Sequence, residues 1–236
     1  MSPPLDPRLD LIFQMTPFCD TAADIGTDHG RLICALVESG RIRRGIAADL
    51  NEKPLEKARR EAQRRGLSHR LEFLQTDGLT GISPENLGAV IIAGMGGETI
   101  IHILESWPYS QDQGITWLLQ PMTKAERLRV WLWEHGFSLA RESCCTASGR
   151  VYSVIEARCT GQVLPHRDWE QYLGAICPGE NSHTLRYVRN KAAELERIAA
   201  GLASAGTPEA LREAAALREA VNAIGAQIEK GETGNV

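Results

Sequence analysis

The distribution of apolar and polar positions predicts repeated strand–helix units over the first two thirds of the chain. Short apolar runs that are typical of buried strands occupy residues 21–25, 45–49, 71–75, 88–93 and 115–119. Stretches with the three- and four-residue spacing of amphipathic helices separate them, at 32–39, 53–65, 98–105 and 124–135. Continuous apolar strands alternating with helices are typical of a parallel sheet covered on both faces. The pattern therefore predicts an α/β, Rossmann-like fold.

The pattern changes after Gly136. Two strand-like runs, 137–143 and 150–157, are joined by a short turn-rich segment, which predicts an antiparallel hairpin at one end of the sheet. Beyond about Pro165, apolar residues recur at steps of three and four on either side of a break at 206–208, which predicts a coiled-coil-like helical hairpin. We expect a sheet domain over 1–162, a helical hairpin domain over 163–230 and a disordered tail over 231–236.

Several residues mark the expected ends of helices. Asn51 is a candidate N-cap for the helix at 53–65, and Gly66 follows that helix. Thr123 and Glu126 have the spacing of a capping box at the start of the helix at 124–135. These signals support the predicted boundaries.

Composition narrows the class of protein. The 236 residues carry a formal net charge of −4, so the chain as a whole does not resemble a polyanion binder. We find no apolar run long enough to span a bilayer and no signal peptide at the start of the chain, and we expect no membrane partner. The six cysteines lack CxxC spacing, which favours reduced thiols in a cytoplasmic protein, and no metal ligand set is apparent.

The segment ADIGTDHGRL, residues 22–31, is a candidate ligand-binding turn after the first strand. The dinucleotide motif G-x-G-x-x-G places a pyrophosphate at this point, but here Asp24 and Asp28 flank Gly26, and two carboxylates would repel a pyrophosphate. The turn instead favours a cationic nucleotide-like ligand such as S-adenosylmethionine. Thr27 and Gly30 belong to the same candidate cofactor-binding turn. The alternative is a plain strand-to-helix turn in which Asp28 caps the helix.

Acidic residues also follow the next two predicted strands. Asp49 ends the second strand, where a carboxylate can accept hydrogen bonds from ribose hydroxyls, and Leu50 follows it. Asp77, followed by Gly78, comes after the third strand and is a candidate partner for an adenine amino group. Alternatively, Asp49 is an acid at a helix N-terminus and Asp77–Gly78 is a simple turn. Acids at three successive strand ends favour an adenosyl cofactor.

These segments resemble those of the class I S-adenosylmethionine-dependent methyltransferases. The chain is most similar to the bacterial tRNA adenine-N1 methyltransferases that modify the D-loop adenine at tRNA position 22. The likeness covers nearly the whole chain, and the segments that carry it are ADIGTDHGRL, AADLNEKPLEKA, QTDGL, IIAGMGGETI and LLQPM with ERLRVWL. The resemblance implies methyl transfer from S-adenosylmethionine to N1 of an adenine in tRNA.

This implied chemistry needs positioning more than proton transfer, because adenine N1 already carries an in-plane lone pair. Ala93 and Gly94 are candidate cofactor contacts at the end of the fourth strand, and Met95 offers an apolar face to the base. Asp28 and His29 are the ionisable candidates for contact with the base. The alternatives are a glycine-rich turn that serves close packing, and a histidine that stabilises its own turn or binds the cofactor carboxylate.

Two segments are candidates for binding the RNA. Residues 41–70 contain ten basic residues against four acidic ones, which suits either phosphate binding or a solvated helix face with internal ion pairs. The helical hairpin either grips the tRNA or packs on itself, and we expect a monomer or weak homodimer. Other functions remain open: a methyltransferase acting on another RNA, a protein or a small molecule, or a non-catalytic nucleotide-binding relic.

Overall fold

The computed structural model describes residues 4–233, with side chains described through residue 231. Within that range one sheet of seven strands has the order β3-β2-β1-β4-β5-β7-β6. The strands are β1 (Cys19–Ile25), β2 (Ile42–Asp49), β3 (Leu71–Gln75), β4 (Leu87–Gly96), β5 (Thr116–Thr123), β6 (Phe137–Ala147) and β7 (Arg150–Cys159). Strands β1 to β5 pair in parallel, whereas β7 pairs antiparallel with both β5 and β6. The predicted parallel sheet with a terminal hairpin is confirmed.

Helices connect the strands and form the C-terminal third. They are α1 (Pro7–Met15), α2 (Arg31–Glu38), α3 (Glu52–Arg64), α4 (Gly97–Ser106), α5 (Ala125–Glu134), α6 (Glu170–Leu173), α7 (Ser182–Ala205) and α8 (Pro208–Thr233), with a 3-10 turn at Ser68–Arg70. Helix α1 was not predicted, although its start has a clear signal. The Asp6 carboxylate accepts hydrogen bonds from the Arg8 and Leu9 N–H groups, and Pro7 occupies the first helical position.

The two faces of the sheet carry separate cores. On one face, α4 and α5 pack residues such as Ile100, Leu104 and Leu128 against the strands. On the other face, α1, α2 and α3 contribute Ile12, Leu36 and further residues. Because both faces are covered, the ligand-accessible parts of the parallel strands are their ends.

Some predicted helix caps are wrong. Thr123 is the last residue of β5, and the N-cap of α5 is Lys124, whose φ of 57° lies in the left-handed region, so Thr123 and Glu126 form no capping box. Asn51 does occupy the N-cap of α3, but its side chain makes no capping hydrogen bond. Its N–H instead donates to Asp49 Oδ1 at 2.8 Å. Gly66 follows α3 with a φ of 71°, as its position suggested.

Helices α7 and α8 form the predicted hairpin, which we call the arm. Val188 and Leu195 of α7 pack against Ala220 and Ile224 of α8. Ile198 and Leu211, which also follow the predicted apolar spacing, are exposed. Helix α8 continues to Thr233, so half of the tail expected to be disordered is helical, and residues 234–236 lie outside the described range. No helix within residues 4–233 is long and apolar enough to cross a bilayer.

A buried ion pair joins the arm to the sheet domain. Arg129 of α5 and Glu142 of β6 are both fully buried, and their closest N–O distance is 2.5 Å. Arg129 also donates to the Gln171 carbonyl oxygen at 2.8 Å and to the Tyr187 hydroxyl of α7 at 3.0 Å. Burial alone would lower the pKa of the Arg129 guanidinium, but Glu142 and Tyr187 outweigh it and raise that pKa. The orientation of α7 therefore depends on a charge network inside the sheet domain.

We predict that Glu142→Leu lowers the free energy of unfolding by about 3–5 kcal/mol, because it leaves the Arg129 guanidinium buried without its counter-charge. Replacing both partners, as Arg129→Met with Glu142→Leu, should restore most of the loss. Urea denaturation measures both effects. Glu98→Leu is the matched control, since Glu98 and its partner Arg127 are exposed, and it should cost less than about 1 kcal/mol. Equal losses at positions 98 and 142 would contradict a structural role for the buried pair.

Candidate active site

The turn between β1 and α2 is held over the end of β2. Gly26 has a φ of 76°, and the N–H groups of Gly26 and Thr27 donate to the Ala48 carbonyl oxygen at 2.8 and 3.1 Å. A methyl group added at position 26 would collide with Met95 Cε at the end of β4. The backbone conformation therefore favours glycine here, and the flexible Met95 side chain would also have to move to admit a larger residue.

Asp24 is the buried acid of this site. Its side chain lies at the end of β1, the residue is only 7% exposed, and it accepts a hydrogen bond from Thr27 Oγ1 at 2.8 Å. Burial raises the pKa of the Asp24 carboxyl to about 6, and the nearby charge of Asp49 adds to the increase, against the opposing effect of Thr27. A carboxylate held in this way is stabilised by a cationic ligand.

A cleft of about 380 Å³ opens beside Asp24. It brings together most of the predicted turn with residues from the ends of two other strands. Its lining includes Asp24, Gly26, Thr27, Asp28, His29, Gly30, Ala93, Gly94 and Gln120. Eight of these nine residues were predicted as site residues, and the ninth, Gln120, lies in the LLQPM segment that carries part of the resemblance.

Asp28 and His29 form a charged group on the rim of the cleft. His29 Nδ1 lies 2.7 Å from Asp28 Oδ2, and Lys57 Nζ of α3 lies 3.6 Å from Asp28 Oδ1. Asp28 does not cap α2, because the N-cap is Gly30 in the left-handed conformation. The Asp28 carboxylate is thus contacted from two sides and stays largely exposed.

The other predicted cofactor contacts lie outside this cleft. Asp49 is half-buried at the end of β2, close enough to influence Asp24, whereas Leu50 is 60% exposed. Asp77 and Gly78 line a small cavity against α4, where Gly78 approaches Ile103. The structure therefore brings Asp49 to the same sheet edge as Asp24, but it does not bring Asp77 into the cleft.

The end of β4 forms the opposite wall. Gly94 has a φ of 80° and open space where a side chain would be, so a flat group can approach its backbone. Met95 is half-buried and packs against the core beneath the sheet edge, with its methyl group next to Gly26. Gln120 of β5 is buried and donates to the Pro121 carbonyl oxygen at 3.1 Å.

Sequence reasoning missed the contribution of α1 to the site. Asp6, Arg8 and Leu9 line the cleft from the side opposite the β1 turn. The Asp-Pro start of α1 was a local signal for a helix, but nothing local showed that this helix folds back onto the sheet edge. Lys57 was noted only as part of the basic stretch, and its contact with Asp28 depends on the packing of α3.

A larger cavity of about 530 Å³ lies at the opposite edge of the sheet, near the start of β2 and β3. Arg43, Arg44, His69 and Arg70 line it, together with acids such as Asp20 and Glu72. Ligands of open parallel sheets bind at the carboxyl ends of the strands, so the Asp24 cleft is the better candidate site despite its smaller volume. Within the described residues 4–233, no group of three or more residues has the arrangement of a metal site.

A doubly wound sheet with a terminal antiparallel hairpin and an acidic cleft at its carboxyl edge defines a Rossmann-like methyltransferase. Comparison with known proteins agrees. Residues 5–155 match the family model described as a methyltransferase domain, and the chain belongs to this family.

Similar proteins extend the likeness beyond that domain. The chain is 33% identical over 153 residues to the Bacillus subtilis tRNA (adenine(22)-N(1))-methyltransferase, an alignment that covers 65% of this chain and 64% of that enzyme's length. The structure of the B. subtilis m1A22 tRNA methyltransferase TrmK superposes with a TM-score of 0.83 at 25% identity, over 95% of this chain and 99% of that one. M. capricolum TrmK, in complex with the cofactor product S-adenosyl-homocysteine, gives 0.77 at 25% identity, over 95% and 98% of the two chains. The resemblance found in the sequence is confirmed.

We predict that Asp24→Asn stabilises the ligand-free protein at pH 8 by up to about 3 kcal/mol, because the native state then no longer contains a buried carboxylate. The pKa of Asp24 in the folded protein lies above the value of 3.8 for a free carboxyl, so between about pH 4 and pH 6 the folded protein holds a proton on Asp24 that the unfolded chain has lost. The contribution of Asp24 to the free energy of unfolding is fully present below pH 4 and is lost as the pH rises through about 6.

Urea unfolding of the wild type and Asp24→Asn between pH 4 and pH 8 measures this difference, which should close at the acidic end. Asp77→Asn, at an exposed carboxyl, is the control and should leave the pH dependence unchanged. A constant gap between wild type and Asp24→Asn at every pH would contradict the assignment.

Proposed function

We propose that this chain transfers a methyl group from S-adenosylmethionine to N1 of the adenine at position 22 in the D-loop of tRNA. The observation that carries the proposal is the likeness to the tRNA m1A22 methyltransferases, which includes the arm as well as the sheet domain. Because the likeness covers the whole architecture of such an enzyme, it favours RNA over a protein or a small molecule as the substrate.

The residues of the cleft suit this cofactor. S-adenosylmethionine, when bound, supplies an electrophilic methyl group on a sulfonium centre. Asp24 offers a buried negative charge to a cationic ligand, and Gly26 supplies the left-handed turn that lines the cleft beside it. Asp49 accepts the Asn51 N–H at Oδ1, and we assign Oδ2 to the ribose hydroxyls. The remaining predicted contacts, Leu50, Asp77 and Gly78, would bind the adenine end of the cofactor only if it extends beyond the cleft.

The target base requires orientation and charge stabilisation. Its N1 lone pair attacks without a strong general base, so the chain's main contribution is to hold the base in line. The open backbone beside Gly94 gives a flat group room to enter, whereas Met95, which packs on the core and does not line the cleft, would contact the ring only after its side chain moves. As N1 becomes bonded, positive charge develops on the base, and the Asp28 carboxylate on the rim would stabilise it, with His29 fixing its orientation.

The test is to incubate the protein with methyl-labelled S-adenosylmethionine and unmodified tRNA, then to map the product. We expect one labelled N1-methyladenine per tRNA, at position 22. A tRNA with guanine at that position is the matched control and should accept no label. Label on another nucleotide, or on protein but not on tRNA, would contradict the proposal.

We predict that Asp49→Ala weakens S-adenosylmethionine binding by about tenfold or more, because two hydroxyl hydrogen bonds to a carboxylate are lost. Titration calorimetry measures the affinity. Asp20→Ala, which removes an acid near the opposite end of β1, should leave the affinity unchanged. An Asp49→Ala protein that binds as tightly as the wild type would show that the ribose assignment is wrong.

A further inference from the structure

A second cleft, of about 250 Å³, lies where the arm meets the sheet domain. The exit of β5, the start of β7 and one side of α7 form its walls. The residues that matter for its chemistry are Met122, Lys124, Arg150, Tyr152, Tyr187 and Lys191. They come from three separate segments of the chain, so no local motif in the sequence joins them.

This cleft adjoins the cofactor cleft. Arg8 of α1 lines the cofactor cleft, and its Nη1 lies 3.8 Å from the Met122 sulfur. The guanidinium carbon of Arg8 also lies 5.3 Å from the centre of the Tyr152 ring. Both Met122 and Tyr152 line the second cleft, so Arg8 stands at the border between the two. A strand that places one base in the cofactor cleft would pass this border.

The charges of the second cleft suit a phosphate backbone. Lys191 is engaged with Glu194 at 2.8 Å, and the charge of Glu126 also acts on it. Lys124 and Arg150, by contrast, make no ion pair among the described residues 4–233, and both are exposed. The combination of accessible cations with aromatic rings is typical of surfaces that bind single-stranded nucleic acid.

The basic stretch identified in the sequence is a weaker candidate, because the arginines of its helical part, residues 59–65, are paired with acids. In α3, Arg59 contacts Glu52, Arg60 lies 3.5 Å from Glu56, and Arg64 lies 2.8 Å from Glu61. Arg65, whose side chain is only 4% exposed, contacts Glu38 and Glu61. Phosphates would have to compete with these acids, so the solvated-helix interpretation fits this stretch better.

Resting on the proposed function, we propose that the second cleft binds the tRNA nucleotides next to the target adenine. Lys124 and Arg150 contact their phosphates, and Tyr152 with Arg8 forms the surface against which an unstacked base lies. A base that leaves its stack loses stacking and pairing contacts, which costs free energy. Contacts that hold the neighbouring nucleotides, where the strand bends, offset that cost. The arm then acts as one wall of the substrate site, fixed in place through Tyr187 and the buried Arg129.

Arg150→Glu and Lys124→Asn test the proposal. Asparagine tolerates the left-handed backbone at position 124, so the second change removes charge without added strain. We expect the KM for tRNA to rise about tenfold in Arg150→Glu, and the dependence of log affinity on log salt to become shallower by about 1 for each lost phosphate contact. The affinity for S-adenosylmethionine and the kcat at saturating tRNA should not change.

Arg158→Glu is the matched control. It lies on the same strand, β7, at the far end from Arg150, and its side chain is similarly solvent-exposed. Tyr152→Leu is a further variant that leaves every phosphate contact in place, and it should weaken tRNA binding by roughly fivefold or more through lost stacking.

The outcomes separate this inference from the proposed function. Wild-type methylation of adenine 22 establishes the activity independently of any variant. If the wild type is active and Arg150→Glu, Lys124→Asn and Tyr152→Leu all behave like Arg158→Glu, the second cleft does not bind the substrate. If Arg150→Glu alters the affinity for S-adenosylmethionine as much as that for tRNA, the cleft acts on the cofactor and the inference is overturned.

Discussion

The buried carboxylate of Asp24 is the constraint on which the site depends. It lies at the end of a central strand, where Ala23 and Ile25 beside it belong to the core, so the strand cannot expose it without exposing apolar neighbours. Ionising it without a cation costs free energy, and the adjacent charge of Asp49 increases that cost. In the proposed function a cationic cofactor would remove this cost, so the buried charge that weakens the free protein would contribute to affinity for the cofactor and to discrimination against pyrophosphate.

The rest of the active site is arranged around this edge by packing. Gly26 admits Met95, Gly30 packs on Ala58 of α3, and the contact between Lys57 and Asp28 follows from that packing. On the far side, Arg129 and Glu142 bury opposite charges that are costly to separate and thereby hold α7 against the sheet domain. The arm is therefore positioned by the core of the catalytic domain, which is what a wall of a substrate cleft requires.

The sequence predicted the parallel strands, the terminal hairpin and the arm because each rests on a local periodicity of apolar residues. It also predicted the acids at the ends of β1 and β2, because the carboxyl ends of parallel strands converge. What it could not predict depends on non-local packing: the return of α1 onto the cleft, the pairing of Arg65 with Glu38, and the cleft between β5, β7 and α7. The capping-box prediction was wrong because β5 extends through Thr123, so Lys124 is the N-cap of α5.

The proposed methyl transfer asks the cofactor cleft for orientation more than for proton transfer. Adenine N1 already carries its lone pair and gains little from a general base. An additional base near the sulfonium would only compete with N1 for the methyl group. Orientation then dominates the barrier, and orientation of one base within a folded RNA depends on contacts with its neighbours. In the proposed function, a small cleft for the cofactor, adjoining at Arg8 a separate cleft with aromatic and cationic residues, would divide these two tasks between two surfaces.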